Sequence, residues 1–324
     1  MKACETAMQQ NSNQILHGDN LPFLKRMADE SAALIYIDPP FNTGKMQSRK
    51  RIKTTAVADA AQGDRVGFGG RRYATEVVGD SGYADSFSDY LGFLRPRLME
   101  AHRVLTANGS LFFHIDWREA ARCRLLLEEI FGGARHCINE IIWAYDFGGR
   151  SRTRWPAKHD NIYWFAKDPD DYIFNYDDID RIPYMAPGLV GREKAARGKT
   201  PTDTWWQTIV PTGGREKTGY PTQKPLPILE RIVRVHSNPG DTVLDFFAGS
   251  GTTGEAAARN GRQFVMIDEN PEAIRVMEKR LGGLVDAKQP EKRHAKSGIR
   301  AEQRDIKQAA LPSNGRPAPA RPAC

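Results

Sequence analysis

Cysteine is scarce in this 324-residue chain: Cys4, Cys123, Cys137 and Cys324 are the whole set. No two form a Cys-x-x-Cys pair, and no histidine stands at ligand spacing beside them. Neither a zinc site nor a disulfide framework is indicated, so no metal is expected, and the set suits a reducing cytoplasm. No apolar run is long enough to span a bilayer, and Met1 to Asn13 lacks the apolar stretch of a secretory signal. No membrane partner is expected. Internal repeats are not visible. No Lys-Ser/Thr follows the main glycine cluster, which removes the usual Walker phosphate loop.

What is present fits a globular α/β domain with a full core and a smaller inserted region: 40% hydrophobic and 27% charged residues. The net charge of +7 fits either a polyanionic partner or simple solubility.

Ala32 to Ile37 is an apolar run stopped by Asp38-Pro39-Pro40, which reads as a buried strand ending in a rigid turn. Residues 44–82 are rich in Gly, Arg and Lys with little periodicity, and are expected to form a long basic loop or a partly disordered insertion. A helix through Leu91, Leu94, Leu98, Ala101 and Leu105 is expected to end near Asn108-Gly109, with a strand over Ser110 to Ile115. Residues 14–146 are read as one half of the main domain, and 220–284 as the other. Residues 147–219, mixed polar, aromatic and Gly/Pro, are read as inserted between them. From Lys288 the chain carries nine basic and three acidic residues with five prolines. That composition cannot offset its ordering entropy, so 285–324 are expected to be disordered.

The clearest unit is a strand ending at Asp245, the turn Phe246-Phe247-Ala248-Gly249-Ser250-Gly251, a helix from Thr252, and a second strand ending at Asp268. Small residues let the backbone turn sharply and approach a ligand. The Asp245 carboxylate suits a cationic amino group, and Asp268 suits both hydroxyls of a ribose. Gly249-x-Gly251-x-x-Gly254 also matches the dinucleotide fingerprint. A nucleoside carrying an amino acid fits better, because Asp245 would repel a pyrophosphate.

Asp38-Pro39-Pro40-Phe41 has its own chemistry. The lone pair of an exocyclic base amine is delocalised, which makes it a poor nucleophile. A carboxylate (Asp38) and a rigid backbone carbonyl (Pro39) accepting both hydrogens draw the nitrogen toward tetrahedral geometry and free the lone pair. An aromatic ring (Phe41), with Tyr36 or another aromatic opposite, holds the plane of the base. A base in duplex DNA must leave the stack to reach such a pocket.

These segments, in this order, resemble the DNA amino-methyltransferases of the beta arrangement, in which Asp-Pro-Pro-Phe precedes Phe-x-Gly-x-Gly. Here Phe41 precedes Phe247 by about two hundred residues. Gly18-Asp19, Phe87 to Leu91, Gly109 to Asp116, Asn139 to Trp143 and Tyr220 to Pro225 resemble further pieces of the same family. The resemblance implies a mostly parallel, seven-stranded, Rossmann-like sheet with helices on both faces. It implies S-adenosylmethionine near Asp245, Phe247, Ala248, Gly249, Ser250, Gly251 and Thr252, with Asp268 on its ribose and Asp19 near its adenine. Thr222 to Pro225, including Lys224, would pack against its methionine end. Target recognition would fall in 147–219. Asp at 38 favours N6 of adenine, where the cytosine-N4 enzymes usually carry Ser. Double-stranded DNA is the implied partner, with a homodimer and a cognate restriction endonuclease as further ones, in a prokaryotic cytoplasm. DNA contact is expected from Arg49, Arg51, Arg71 and Arg72, and from Arg150, Arg152 and Arg154 around Trp155. Trp143 and Trp164 sit in strand-like runs and are expected in the core, while Trp205 and Trp206 suit either core or base contact.

Overall fold

Strands covered on both faces need apolar side chains at every position, and Ala32–Ile37 meets that requirement: all six residues are buried. A computed structural model describes residues 13–57, 64–66, 72–211 and 213–285. In chain order the elements are β1 (Gln14–His17), α1 (Asn20–Arg26), β2 (Ala32–Ile37), β3 (Lys45–Val57), β4 (Arg65–Val66), β5 (Arg72–Asp85), α2 (Tyr90–Val104) and β6 (Leu105–Asp116). Then come α3 (Ala120–Phe131), β7 (Cys137–Ala144), β8 (His159–Ala166), α4 (Arg192–Arg197), β9 (Thr204–Trp206) and α5 (Leu226–His236). The chain closes with β10 (Thr242–Asp245), α6 (Thr252–Arg259), β11 (Gln263–Asp268) and α7 (Pro271–Val285).

The main sheet runs β1-β11-β10-β2-β6-β8-β7-β9. From β1 to β6 the neighbours are parallel, and β8 is antiparallel to both its neighbours. Successive side chains alternate between two cores. Ile35, Ile37, Leu111, Phe113 and Leu244 meet α1, α2 and α3, while Leu34, Tyr36, Phe112, Val243 and Phe264 meet α5, α6 and α7. The result is a three-layer α/β sandwich. Among the described residues no helix is long and apolar enough to cross a membrane.

Four expectations change. The sheet has eight strands, not seven, because Thr204–Trp206 pairs in parallel with β7 at the edge. Residues 147–219 are not a separate insertion: β8 and β9 lie within them and belong to the main sheet. The bulky apolar residues of β8, with Ile162 to Ala166 buried, demand a place in the core.

Residues 44–82, expected as a loop, form a hairpin in which β3 and β5 pair from Lys45↔Asp85 to Val57↔Arg72, with β4 alongside. The arms carry β-branched and aromatic residues, and register partners of opposite charge such as Lys50↔Asp80 and Lys53↔Glu76. Those charges hide the period-two pattern in the sequence. Finally, α2 ends at Val104, not near Gly109, since Leu105 already pairs with Ala32. The basic tail and Arg71 lie outside the described residues.

Candidate active site

The crevice lies where the strand order reverses. From β10 the chain crosses through α6 to β11 on one side, and from β2 it continues to β6 on the other. Ligand sites of open α/β sheets form beyond the carboxyl ends of strands at such a point. β2 and β10 are direct parallel neighbours, with Leu34↔Val243 and Ile35↔Leu244 in register. The turns that follow them therefore emerge side by side. A cavity of about 310 Å³ is lined by Asp38 and Pro40 from one turn and by Asp245, Phe247, Ala248, Gly249, Ser250 and Thr252 from the other. Asp19, Lys224 and Asp268 line it as well.

Asp245 is buried. It accepts Phe247 N–H at 3.0 Å and Thr253 Oγ1–H at 2.7 Å. Burial pushes its carboxyl up to about 7, against those hydrogen bonds, and Asp38 and Asp268 push the same way. Burial also raises Asp268, whose oxygens accept the N–H groups of Gly249 and Asn270 at 2.7 and 2.8 Å. Gly249 and Gly251 both have positive φ (51° and 72°), and a Cβ at Gly251 would meet Met277 Cγ at 2.8 Å. Gly251 is thus a cap of α6, outside the cavity lining. Ser250 and Thr252 line the cavity but also hydrogen-bond Arg280, which pairs with Glu255.

Asp19 caps α1 through Leu21 N–H (3.1 Å) and pairs with Arg97 Nη2 at 2.8 Å. Asp38 has one oxygen, Oδ2, 2.7 Å from Lys224 Nζ. Its other oxygen, Oδ1, is buried with no hydrogen-bond partner among the described residues. Pro39 is buried, and the carbonyl of Pro40 accepts from Tyr90 Oη at 2.5 Å. Phe41 is half-buried, its ring 5.9 Å from that of His114 and 5.0 Å from Lys224 Nζ, and lies outside the cavity lining.

Several lining residues were not singled out from sequence. Arg97 donates to Asn20 Oδ1 at 2.6 Å and lies 3.9 Å over the Phe93 ring. Asn20 in turn donates to the Phe246 carbonyl at 2.7 Å, so α1, α2 and the glycine turn are locked together. Asn20 follows Gly18-Asp19 directly, a signal that was available, whereas mid-helix Arg97 offered none. Tyr36 was placed against the base. It lines the cavity yet is 2% exposed, its hydroxyl 2.7 Å from His114 Nδ1, with His114 Nε2 3.1 Å from Asp160. Burial and the nearby Asp38 hold its phenol well above the usual range.

The arginines divide. Arg72 is exposed on β5, and Arg49 and Arg51 lie on β3. Arg150, Arg152, Arg154 and Trp155 are exposed, Trp155 at 96%. β7 points the same way as β2, so their loop leaves the sheet at the edge that carries Asp38. Trp143 and Trp164 are core residues; Trp205 is buried against α5, whereas Trp206 is 79% exposed.

Residues 32–279 match the model of a family described as DNA methylase. A DNA adenine methyltransferase of Escherichia coli, YhdJ, is 30% identical over 86% of this chain and 86% of its own. The type II methyltransferase M.HpaI of Haemophilus parainfluenzae is 30% identical over 80% of this chain and 70% of its own. Among solved structures, a complex of M1.HpyAVI with SAM superposes with a TM-score of 0.53 at 21% identity, covering 83% of this chain and 98% of that one. The cytosine-N4-specific PvuII DNA methyltransferase gives a TM-score of 0.53 at 16% identity, covering 85% and 92%. With the family match spanning most of the chain and the two turns meeting in one crevice, this protein belongs to the N6/N4 DNA methylase family.

Proposed function

We propose that the protein methylates the N6 amine of adenine in double-stranded DNA, using S-adenosylmethionine and a base flipped from the helix, in a bacterial cytoplasm. The observation that carries the reading is one oxygen of Asp38: a buried carboxylate oxygen without a hydrogen-bond partner among the described residues, in the cavity shared with the glycine turn.

The cavity fits this methyl donor. A carboxyl raised to about 7 by burial becomes easy to ionise only when a cation sits beside it, as an amino-acid ammonium would at Asp245. Asp268, with one lone pair left on each oxygen, suits a ribose diol, and the aromatic cluster of Phe93 and Phe247 beside Asn20 suits a nucleobase. S-adenosylmethionine supplies a methyl group on a sulfonium. The protein supplies position: Asp38 Oδ1 accepts one amine hydrogen, the Pro39 carbonyl accepts the other, and the Phe41 ring fixes the plane. Pre-orientation of this kind is worth on the order of 7–11 kcal/mol in intramolecular reactions.

The DNA enters over the carboxyl edge, met by Arg150, Arg152, Arg154 and Trp155 on the β7–β8 loop and by the basic β3–β5 hairpin. Asp at position 38, and the name of the E. coli relative, favour adenine over cytosine. Methylation of duplex DNA by the purified protein, followed by digestion and nucleoside analysis, is expected to give N6-methyladenine. N4-methylcytosine would replace adenine by cytosine in the reading. Asp38→Ala is expected to abolish transfer with cofactor affinity within about threefold of wild type; wild-type turnover in that variant refutes the assignment.

A further inference from the structure

Lys224 belongs to the segment expected to pack on the methionine end of the cofactor. Its side chain lines the cavity, and its ammonium meets Asp38. Nζ lies 2.7 Å from Asp38 Oδ2, with the lysine side chain 12% and the aspartate 14% exposed. The same ammonium sits 5.0 Å from the centroid of the Phe41 ring, within cation–π range. Its backbone carbonyl accepts from Thr252 Oγ1 at 3.2 Å, which fixes the lysine to the first residue of α6. One residue thus ties the glycine turn to both side chains assigned to the base.

We infer that Lys224 is a positioning residue for the target base and not a cofactor ligand: it occupies one oxygen of Asp38 so that the other faces the amine. The inference rests on the reading that Asp38 engages that amine. A carboxylate with both oxygens free could rotate about its terminal torsion, whose wells are broad. With Oδ2 pinned, Oδ1 has a fixed direction, and Oδ1 is the oxygen left without a partner among the described residues.

Charge points the same way. The groups around Asp38 are Tyr36 on β2, Asp245 and Asp268 at the ends of β10 and β11, Lys224 before α5, and the His114–Asp160 pair across β6 and β8. Five carboxylates, Asp19, Asp38, Asp245, Asp268 and Glu269, line one cavity. Lys224 brings a cation against Asp38 within that acidic lining. A lysine ammonium would also repel a cationic cofactor. Its removal should therefore leave cofactor affinity unchanged or improved, the opposite of what loss of a cofactor ligand would do.

The test compares Lys224→Met and Lys224→Arg with wild type, after thermal melts establish that each is folded. Affinity for S-adenosylmethionine is measured by calorimetry, and kcat and KM are measured on duplex DNA. For Lys224→Met we expect kcat to fall on the order of 100-fold, the scale of an ångström-level misplacement. We also expect unchanged or tighter cofactor binding. Lys224→Arg keeps the charge but not the compact geometry, and should recover part of kcat. Weakened cofactor binding with kcat retained would overturn the inference in favour of a cofactor contact. A fall in kcat with no recovery by arginine would overturn it as a merely structural effect. Failure of the parent reading is separately visible, as full activity in Asp38→Ala.

Discussion

Thr253 Oγ1 donates a 2.7 Å hydrogen bond to Asp245 Oδ2, tying the carboxyl at the end of β10 to the first turn of α6. That bond and the Phe247 N–H oppose, but do not overcome, the effect of burial, which pushes Asp245 from its ordinary 3.8 up to about 7. A carboxyl whose folded value is raised holds its proton more tightly when folded. Its contribution to stability is complete below about 4 and is lost as pH rises toward 7. A cationic ligand reverses the sign, because it favours the ionised form. Below pH 7, binding of S-adenosylmethionine should release a proton from Asp245, and affinity should rise by up to about tenfold per pH unit between 5.5 and 7. Asp245→Asn should flatten that dependence, leaving the smaller part due to Asp268. Calorimetry in buffers of different ionisation enthalpy measures both; a flat wild-type profile would remove Asp245 from the cofactor site.

Gly251→Ala is expected to destabilise the fold by roughly 2–4 kcal/mol. The residue sits at φ 72°, and its new Cβ would lie 2.8 Å from Met277 Cγ and 3.3 Å from Leu281 Cδ1. The left-handed backbone contributes about 1 kcal/mol of that and overpacking of the core the rest. Gly282→Ala is the control: it is exposed on α7 with nothing within 4 Å of its added Cβ. That change should be neutral or stabilise by about 0.5–1 kcal/mol. Denaturant melts of the two variants should therefore move in different directions.

Replacing Arg150, Arg152 and Arg154 together by Ala should weaken DNA binding and lower the slope of log K against log salt by about 2–3, near 0.9 per lost phosphate contact. All three are exposed, and cofactor affinity should not change. Arg135→Ala is the matched control. Arg135 is exposed, pairs with Asp170, and precedes β7, so it lies at the edge opposite Asp38. A slope that falls equally in both variants would show that this loop does not meet the phosphates.

Much of the site could be read from short stretches. Asp38-Pro39-Pro40 had to stop a strand, because proline cannot donate to a ladder. The cluster from Phe247 to Thr252 had to turn tightly, because Gly249 and Gly251 tolerate the positive φ they adopt. The apolar run of β2 required cover on both faces. Two other features were not legible. The β3–β5 hairpin was hidden because its alternation is interrupted by charges that are matched only across the pair. The run around Trp164 reads as a strand, but its place in the main sheet was hidden, because loops on either side of β8 break the helix–strand rhythm.

The sequence by itself determined where the tight turns fall and which polar and aromatic side chains they carry, since turn geometry and side-chain type are local properties. The tertiary structure decided which of them meet. Strand pairing is made by backbone hydrogen bonds, which carry no record of the partner, so nothing in residues 32–37 names residues 242–245 as their neighbour. Only the folded sheet puts Asp38 beside Asp245. Only the packed loop before α5 brings the Lys224 ammonium onto Asp38, because the direction of a long flexible side chain is set by what surrounds it.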